Sequence, residues 1–296
     1  MSLALTHIGG GSRILAQVRS FLAEQPIGAA GLAVILLMGF AALFAERIAP
    51  YDPLAVDFAA MLGPPSADHW LGTDTFGRDM LSRLTYGART ALVIGFASSI
   101  IGCSLGAVIG TMSAYFGGRI DLIIQRVVEV MLIIPVIVTA LVAVSVLGRN
   151  RIGMIDLNLI LAIAIPMIPN VARVVRSAAL VIRDLPYIDA ARAAGFGHAR
   201  IIMRHMLPNM MGPYLILLTA YVGQAILLEA ALAFIGLGVS EPHPDWGLML
   251  SGAGADFYRE APWVVLAPGL AITATVFAFN LFGDGLRDWL DPKYRR

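Results

Sequence analysis

The most recognisable chemical pattern in the chain is Gly102-Cys-Ser104-Leu-Gly106, which matches the Gly-x-Ser-x-Gly sequence of serine hydrolases. That chemistry needs a serine on a strand-to-helix turn with a histidine base nearby. Here the serine lies inside an apolar run, and none of the five histidines falls in a predicted membrane span. Gly102, Gly106 and Gly110 instead have the four-residue spacing that lets two helices approach closely. We therefore interpret this segment as a packing face and expect no catalytic residue.

The chain lacks the sequence motifs that are usual for nucleotide, metal and cofactor binding. The chain contains no Gly-x-x-x-x-Gly-Lys-Ser/Thr segment, so it does not hydrolyse ATP through a P-loop. Gly236 and Gly238 do not extend to a dinucleotide pattern, because Glu241 stands where a third glycine is required. Cys103 is the single cysteine, which excludes an intrachain disulfide, and no Cys/His spacing suits a metal. We expect no cofactor and no metal, so any energy must come from a partner.

Three ionisable residues occur within or beside apolar stretches, where a charge usually faces a cavity or a partner. Arg126 and Glu129 are three residues apart, so they share a helix face and can neutralise one another. A structural pair and a place on a substrate path both remain open for them. For Glu229 the alternatives are a place on the pathway, a helix cap and a bond between helices.

Composition indicates the elements that carry these residues. The chain is 58% hydrophobic and 14% charged, with a mean hydropathy of +0.78, which is typical of a multi-span membrane protein. A net charge of +1 gives no reason to expect nucleic-acid binding. Six stretches are long enough to cross a bilayer: residues 26–44, 91–112, 122–146, 157–174, 211–237 and 262–282.

The arrangement of these six spans predicts the orientation of the chain. An even number places both termini on the same side as the loop between the fourth and fifth spans. The segments assigned to that side carry 14 of the 21 Lys and Arg residues, which predicts that they are cytoplasmic. Pro135, Pro166 and Pro169 are expected to kink their helices.

The loop from Asp184 to Asn209 is too polar to cross the membrane. Pro186 favours a helix start, and the following alanines favour its extension. Gly195 stands where a helix end prefers a left-handed residue. A second short helix is expected over residues 198–207, ended by Pro208. The pattern predicts a helix, a tight turn and a helix that another protein can approach closely.

This loop resembles the EAA motif of ABC importer permeases, through Asp189-Ala190-Ala191, Gly195 and Leu207-Pro208. In that family the loop is cytoplasmic, and its short coupling helix contacts the ATPase subunit. The resemblance therefore implies ATPase coupling for Asp189, Ala190, Ala191, Gly195, Leu207 and Pro208. Two residues depart from the family pattern: Asp189 replaces the usual glutamate, and His205 stands where isoleucine is common.

Three further passages resemble the dipeptide, oligopeptide and nickel branch of these permeases. They are the GTDxxGRDxxSRxxxGxR signature at 72–89, the passage at 229–247, and the ending at 280–292, which is expected to form an inner surface helix. The first lies in a long outer loop, residues 46–89, expected to be a small cap with an amphipathic helix and with Asp79 at a helix start. In the second, Glu241 replaces a proline of the family pattern, and Trp246 is expected at the membrane interface.

The resemblance implies an all-α membrane protein with six transmembrane helices, the type I ABC importer permease fold and a cytoplasmic coupling-helix loop. It divides the chain into an N-terminal segment with the first span and outer loop (1–86), a permease domain (87–285) and a cytoplasmic tail (286–296). The chain would be a multi-pass protein of the bacterial inner membrane, forming half of a translocation pathway and not catalytic by itself.

The implied partners are a second homologous permease subunit, two cytoplasmic ATP-binding subunits, an extracytoplasmic solute-binding protein and the lipid bilayer. Peptides are the expected cargo; a nickel chelate, glutathione and antimicrobial peptides remain open. The alternative is a secondary transporter driven by an ion gradient, which usually has ionisable groups near the bilayer midplane and inverted repeats.

Overall fold

The computed structural model describes residues 10–148, 150–152, 155–251 and 256–290, and they form a helical bundle. Five helices are long and apolar enough to cross a membrane, and a sixth span results if one sharply bent pair is counted as one. This agrees with the six predicted spans. The candidate spans by length and composition are Pro26–Leu43, Met80–Phe116, Leu157–Arg183, His198–Phe234 and Trp263–Leu290, with the bent pair Gly118–Ile133 and Val136–Leu147.

The first span is preceded by a helix that the sequence reasoning did not predict. Helix α1 (Gly10–Glu24) leads into α2 (Pro26–Leu43), and a short α3 (Ala45–Ile48) follows. Phe21 of α1 is buried, and its ring meets the rings of Phe282 and Trp289 edge-on, with centroids 5.8 and 6.1 Å away. These ring contacts attach α1 to the last helix of the bundle.

The cap, residues 49–79, contains a 3₁₀ turn at Phe58–Ala60 and otherwise irregular chain. Its expected amphipathic helix is not a separate element, because residues 80–89 are the first part of α4 (Met80–Phe116). Asp79 is the N-cap of α4, as predicted, and its carboxylate accepts hydrogen bonds from the backbone N–H and the hydroxyl of Ser82 at 2.8 and 2.7 Å. The second span therefore begins at Met80 rather than Ala91.

The third span is broken where proline was expected to kink it. Helix α5 (Gly118–Ile133) and α6 (Val136–Leu147) meet at an angle of 97° on either side of Ile134 and Pro135. Proline removes a backbone donor and clashes with the preceding helical turn, which accounts for the break. Two-residue strands β1 (Arg151–Ile152) and β2 (Ile155–Asp156) follow α6 and pair antiparallel.

The fourth span packs along α4 through the glycine repeat. It consists of α7 (Leu157–Ala164), a 3₁₀ turn and α8 (Ile168–Arg183). A Cβ atom added at Gly102, Gly106 or Gly110 would lie within 3.0 Å of backbone atoms of this span. The predicted packing role of these three glycines is confirmed.

The second half of the chain departs from expectation in two helices: a short one after the fifth span that was not predicted, and a longer last one. Helix α11 (Met211–Phe234) is followed by a turn, with φ of +83° at Gly236, and by the short α12 (Trp246–Leu250). Helix α13 (Trp263–Leu290) continues without interruption through the residues expected to form a separate surface helix. Of that expected helix, residues 291 and 292 lie outside the described part of the chain.

The prediction that Trp246 lies at the membrane interface is wrong. Its side chain is 1% exposed, and its indole N–H donates to the Leu84 carbonyl at 2.9 Å. A Cβ at Gly87 would lie 2.6 Å from the indole, so the missing side chain makes the space for this ring. The tryptophan therefore packs α12 into the core, where its polar atom has a partner.

Three buried clusters fill the bundle, and α4 contributes to all of them. The first joins α4 near Met80 to α2, α11, α12 and α13; the second joins it near Ile94 to α6, α7 and α11. The third joins the end of α4, from Cys103 to Tyr115, to α8 and to the loop that follows α8. At 1.5 Å per residue the 37 residues of α4 extend about 55 Å, more than the hydrocarbon core of a bilayer.

Candidate docking loop and polar sites

The turn of the 184–209 loop is a Schellman motif built around Gly195. Helix α9 (Pro186–Ala193) begins with proline at its first position and ends just before Gly195, whose φ is +75°. The Gly195 N–H donates to Arg192 O at 2.9 Å, and the Phe196 N–H donates to Ala191 O at 3.1 Å. These two bonds satisfy the last carbonyls of α9. The left-handed residue predicted at position 195 is confirmed.

The loop has a buried face and an exposed face. Ile188, Ala191 and Ile201 are 0%, 6% and 1% exposed and belong to the third buried cluster. Asp189 and Ala190 lie on the opposite, exposed face. Of the Asp189-Ala190-Ala191 segment, two residues are therefore available to another protein, and the third attaches α9 to the bundle.

The charge of Asp189 is paired within its own helix. Its carboxylate accepts a hydrogen bond from Arg192 at 3.0 Å, and the two side chains are 69% and 42% exposed. An ion pair this exposed adds little stability. Both groups can therefore exchange partners at low cost.

The second half of the loop is not ended by proline as expected. It passes from α10 (His198–Ile201) through a π-helical turn (Ile202–Met206) and a 3₁₀ turn (Leu207–Met210) directly into α11. Pro208 lies in the first turn of the 3₁₀ segment, where a missing N–H is tolerated. The Asn209 side-chain amide donates to the His205 carbonyl at 2.7 Å, which supplies a donor at this irregular point.

The aromatic residues of the loop pack on His205. The His205 ring is stacked on Phe196, with centroids 6.0 Å apart and planes at 15°. The guanidinium of Arg200 lies 4.0 Å from the centre of the Phe196 ring. These contacts connect the turn to the π-helical segment. The histidine that departs from the family pattern thus has a packing role in this loop.

Arg126 and Glu129 form the pair predicted from their spacing. The guanidinium donates to the carboxylate at 3.0 Å, and the side chains are 73% and 50% exposed on α5. They border an open cavity of about 320 Å³, which is also lined by Asp121 and Arg176. Arg176 of α8 donates twice to Asp121 of α5, at 2.6 and 2.5 Å. Sequence reasoning missed this second pair, because the 55 intervening residues give no signal of contact.

Glu229 lies at a contact between elements. Its side chain is 1% exposed on α11 and faces Asp245, which is fully buried and caps α12 through the Leu248 N–H at 2.9 Å. Among the alternatives left open by the sequence, this position favours a bond between elements.

An ion-pair network attaches the cap to the turn after α11. Arg78 donates to Asp74 at 2.7 Å and to Glu241 at 2.8 Å. Burial of the Arg78 guanidinium opposes its charge, but the hydrogen bonds and charges of Glu241 and Asp74 outweigh burial and raise the pKa of Arg78. Arg83 is 1% exposed and donates to the Pro242 carbonyl at 3.3 Å. The network gives the 72–89 signature a structural role in attaching the cap.

Ser104 has no histidine as its hydrogen-bond partner. Its hydroxyl lies 2.9 Å from the Tyr214 hydroxyl of α11. A tyrosine in that position holds two helices together and does not supply the base that a serine nucleophile requires. The geometry agrees with the interpretation of this segment as a packing face.

A bundle of apolar helices with a polar two-faced loop between its fourth and fifth spans is the architecture expected of an ABC importer permease. The chain belongs to the family described as binding-protein-dependent transport system inner membrane component, whose model matches residues 106–296. Residues 15–65 match the N-terminal transmembrane domain of oligopeptide transport permease C. The resemblance identified from the motifs is thereby confirmed.

Several permease proteins are similar to this chain over most of its length. The dipeptide transport system permease protein DppC of Alkalihalophilus pseudofirmus is 40% identical over 274 residues, covering 93% of this chain and 88% of that protein. The di/tripeptide transport system permease protein DppC of Pseudomonas aeruginosa is 42% identical over 271 residues, covering 90% and 88%. The glutathione transport system permease protein GsiD of Pectobacterium atrosepticum is 40% identical over 278 residues, covering 94% and 90%.

A solved structure shares the fold. A chain of the MetNI methionine ABC transporter, in inward-facing conformations, superposes with a TM-score of 0.55 at 19% sequence identity. The match covers 72% of this chain and 98% of that chain. The expected permease fold is confirmed.

Proposed function

We propose that this chain is a permease subunit of an ATP-driven importer of di- or oligopeptides, coupled to its ATPase through the 184–209 loop. The two-faced geometry of the loop carries the proposal: one face is fixed in the third buried cluster, and the other presents Asp189 and Ala190. The named relatives, two of them dipeptide or di/tripeptide permeases, support the choice of cargo.

The proposed assembly contains a second homologous permease, two ATP-binding subunits and a solute-binding protein. The loop and both termini face the cytoplasm, and the cap faces outward. Asp189, Ala190, Ala191, Gly195, Leu207 and Pro208 shape the ATPase contact. This chain supplies half of the pathway and catalyses no reaction itself. The division at 1–86, 87–285 and 286–296 remains a proposal, and α4 and α13 run continuously through its two boundaries.

The loop moves as a unit when the ATPases close. Its turn is closed by the two backbone bonds at Gly195, and its inner face is packed against α8. A displacement of the exposed face therefore reaches the spans without being absorbed in the loop. Inward and outward access of the pathway would alternate through such a displacement.

The test is a charge reversal on the exposed face in the complete transporter. Asp189→Arg is expected to reduce copurification of the ATPase and ATP-dependent peptide uptake into proteoliposomes. Asp68→Arg is the matched control, because Asp68 is an exposed acid of the cap. Uptake that persists without ATP and follows an ion gradient would support the secondary-transporter alternative and refute the proposal.

A further inference from the structure

Helix α4 has no direct chain connection to the 184–209 loop, yet it meets that loop at its last turn. The loop is joined through the backbone to α8 before it and to α11 after it. Tyr115, the second-last residue of α4, is 7% exposed and lies in the third buried cluster with residues of the loop. Force that passes directly from the loop into α4 is therefore carried by contacts at this end of the helix.

A hydrogen bond makes this connection directional. The Tyr115 hydroxyl lies 2.8 Å from Nδ1 of His198, the first residue of α10. The two rings meet edge-on with centroids 5.6 Å apart, and the His198 ring also meets the Phe116 ring at 5.7 Å. From the first half of the loop, the Arg192 guanidinium lies 5.6 Å from the centre of the Tyr115 ring. Tyr115 thus contacts both halves of the loop.

A second hydrogen bond joins the end of α8 to the end of α4 beside the loop. Arg183, the last residue of α8, donates to the Ala114 carbonyl of α4 at 2.8 Å. A guanidinium at a helix C-terminus satisfies a free carbonyl and complements the negative end of the helix dipole. The ends of α4 and α8 are thereby held together beside the loop. The Tyr115–His198 hydrogen bond extends this connection to the half of the loop that follows Gly195.

The other end of α4 lies at the cap. Asp79 caps its first turn, and Met80 is fully buried in the first cluster. The 37-residue helix therefore connects the loop end of the bundle to the cap end as one continuous element. A helix of this kind transmits displacement because each of its residues is held by backbone hydrogen bonds.

We propose that Tyr115 and His198 are positioning residues that clamp the 184–209 loop to α4, so that movement of the loop is transmitted along α4 to the cap. This inference rests on the proposed function of the loop as the ATPase contact. The clamp carries the motion to the side of the pathway opposite the ATPase, and packing alone connects α4 to the loop when the clamp is lost.

The test measures ATP hydrolysis and peptide uptake together in the complete transporter reconstituted in proteoliposomes, for substitutions at Tyr115, His198 and Tyr214. Tyr115→Phe removes one hydroxyl and keeps the ring contacts. Tyr214→Phe is the matched control, because it removes a hydroxyl bonded at 2.9 Å within the spans. His198→Asn places an amide near the position of Nδ1 and preserves the bond to Tyr115.

We expect Tyr115→Phe to hydrolyse ATP normally and to import about fivefold less peptide per ATP, the factor that one ordinary hydrogen bond makes in an equilibrium. Tyr214→Phe and His198→Asn should keep the wild-type ratio. His198→Phe, at an exposed position that does not disturb the core, should match Tyr115→Phe, and the double variant should be no worse than either single variant.

An unchanged ratio in both Tyr115→Phe and His198→Phe would overturn the clamp. So would additive losses in the double variant, because they would show that the two residues act separately. Copurification of the ATPase separates this failure from failure of the proposed function. If the ATPase stays bound and coupled in Asp189→Arg, the docking role of the loop is wrong; if only the clamp variants are neutral, the docking role stands.

Discussion

Substitution of Gly195 changes the backbone of the turn without a steric clash, because no atom lies where a side chain would begin. Its φ of +75° is a left-handed conformation, and a Cβ added there would meet no atom within 4 Å. The cost of Gly195→Val is therefore a backbone cost, about 1–2 kcal/mol for an L-residue in this region. That cost corresponds to roughly a 5- to 30-fold lower population of the closed turn.

The closed turn is what gives the loop its rigid, two-faced form, so its loss should uncouple the two activities. We expect the Gly195→Val transporter to insert at the wild-type level and to import about tenfold less peptide per ATP, in line with the lower population of the turn. Gly195→Asn should recover most of the loss, because asparagine tolerates the left-handed region. The assay is peptide uptake and ATP hydrolysis in the same proteoliposomes.

Gly197 provides the control within the same loop. Its φ is −65°, it is the N-cap of α10, and a Cβ there would also meet no atom within 4 Å. Gly197→Ser should therefore leave coupling unchanged, since serine is favoured at an N-cap. If Gly195→Val transports as well as Gly197→Ser at equal membrane levels, the turn does not matter for coupling and the reasoning fails.

Three further substitutions test the packing of the bundle. Gly110→Leu should destabilise the purified protein by about 1–3 kcal/mol, because its side chain would meet the backbone of α8, whereas Gly39→Leu on an open face should not lower the unfolding temperature. Ser104→Ala should leave peptide uptake close to the wild-type level, because the hydroxyl joins two packed helices and has no catalytic role, and complete loss would reopen the hydrolase interpretation. Glu241→Gln should weaken the bond to Arg78 and lower stability by at most about 1 kcal/mol because Glu241 is 49% exposed, and an unfolding temperature raised above wild type would contradict this.

The sequence predicted those features that depend on local pattern. Hydropathy identified the spans, because each needs a continuous apolar stretch. Proline identified the break at Pro135, and the residue preference of a helix end identified the turn at Gly195. The four-residue glycine spacing of α4 identified its packing face. Each of these signals lies within a short segment of chain.

Features that depend on contacts between distant segments could not be predicted. Tryptophan is a residue type that favours the membrane interface, but Gly87 on another helix leaves the space in which Trp246 is buried. Tyr115 and His198 are 83 residues apart, and neither position is marked by a pattern. Pro208 was expected to end a helix, and the π-helical turn before it allows the chain to continue into α11. Tertiary packing determined the surroundings of Trp246, Tyr115 and His198, whereas an irregular local helix accommodates Pro208.

Cysteine labelling at Ala190 tests most directly whether the loop is the cytoplasmic contact of an ATPase. Ala190 is exposed, and the single native cysteine, Cys103, is buried, so Ala190→Cys introduces the reactive thiol. We predict that a membrane-impermeant maleimide does not label Ala190→Cys in intact cells. It should label the variant in inside-out vesicles stripped of the ATPase, and restoring the ATPase should block that labelling. Labelling in intact cells, or labelling unaffected by the ATPase, would contradict the account.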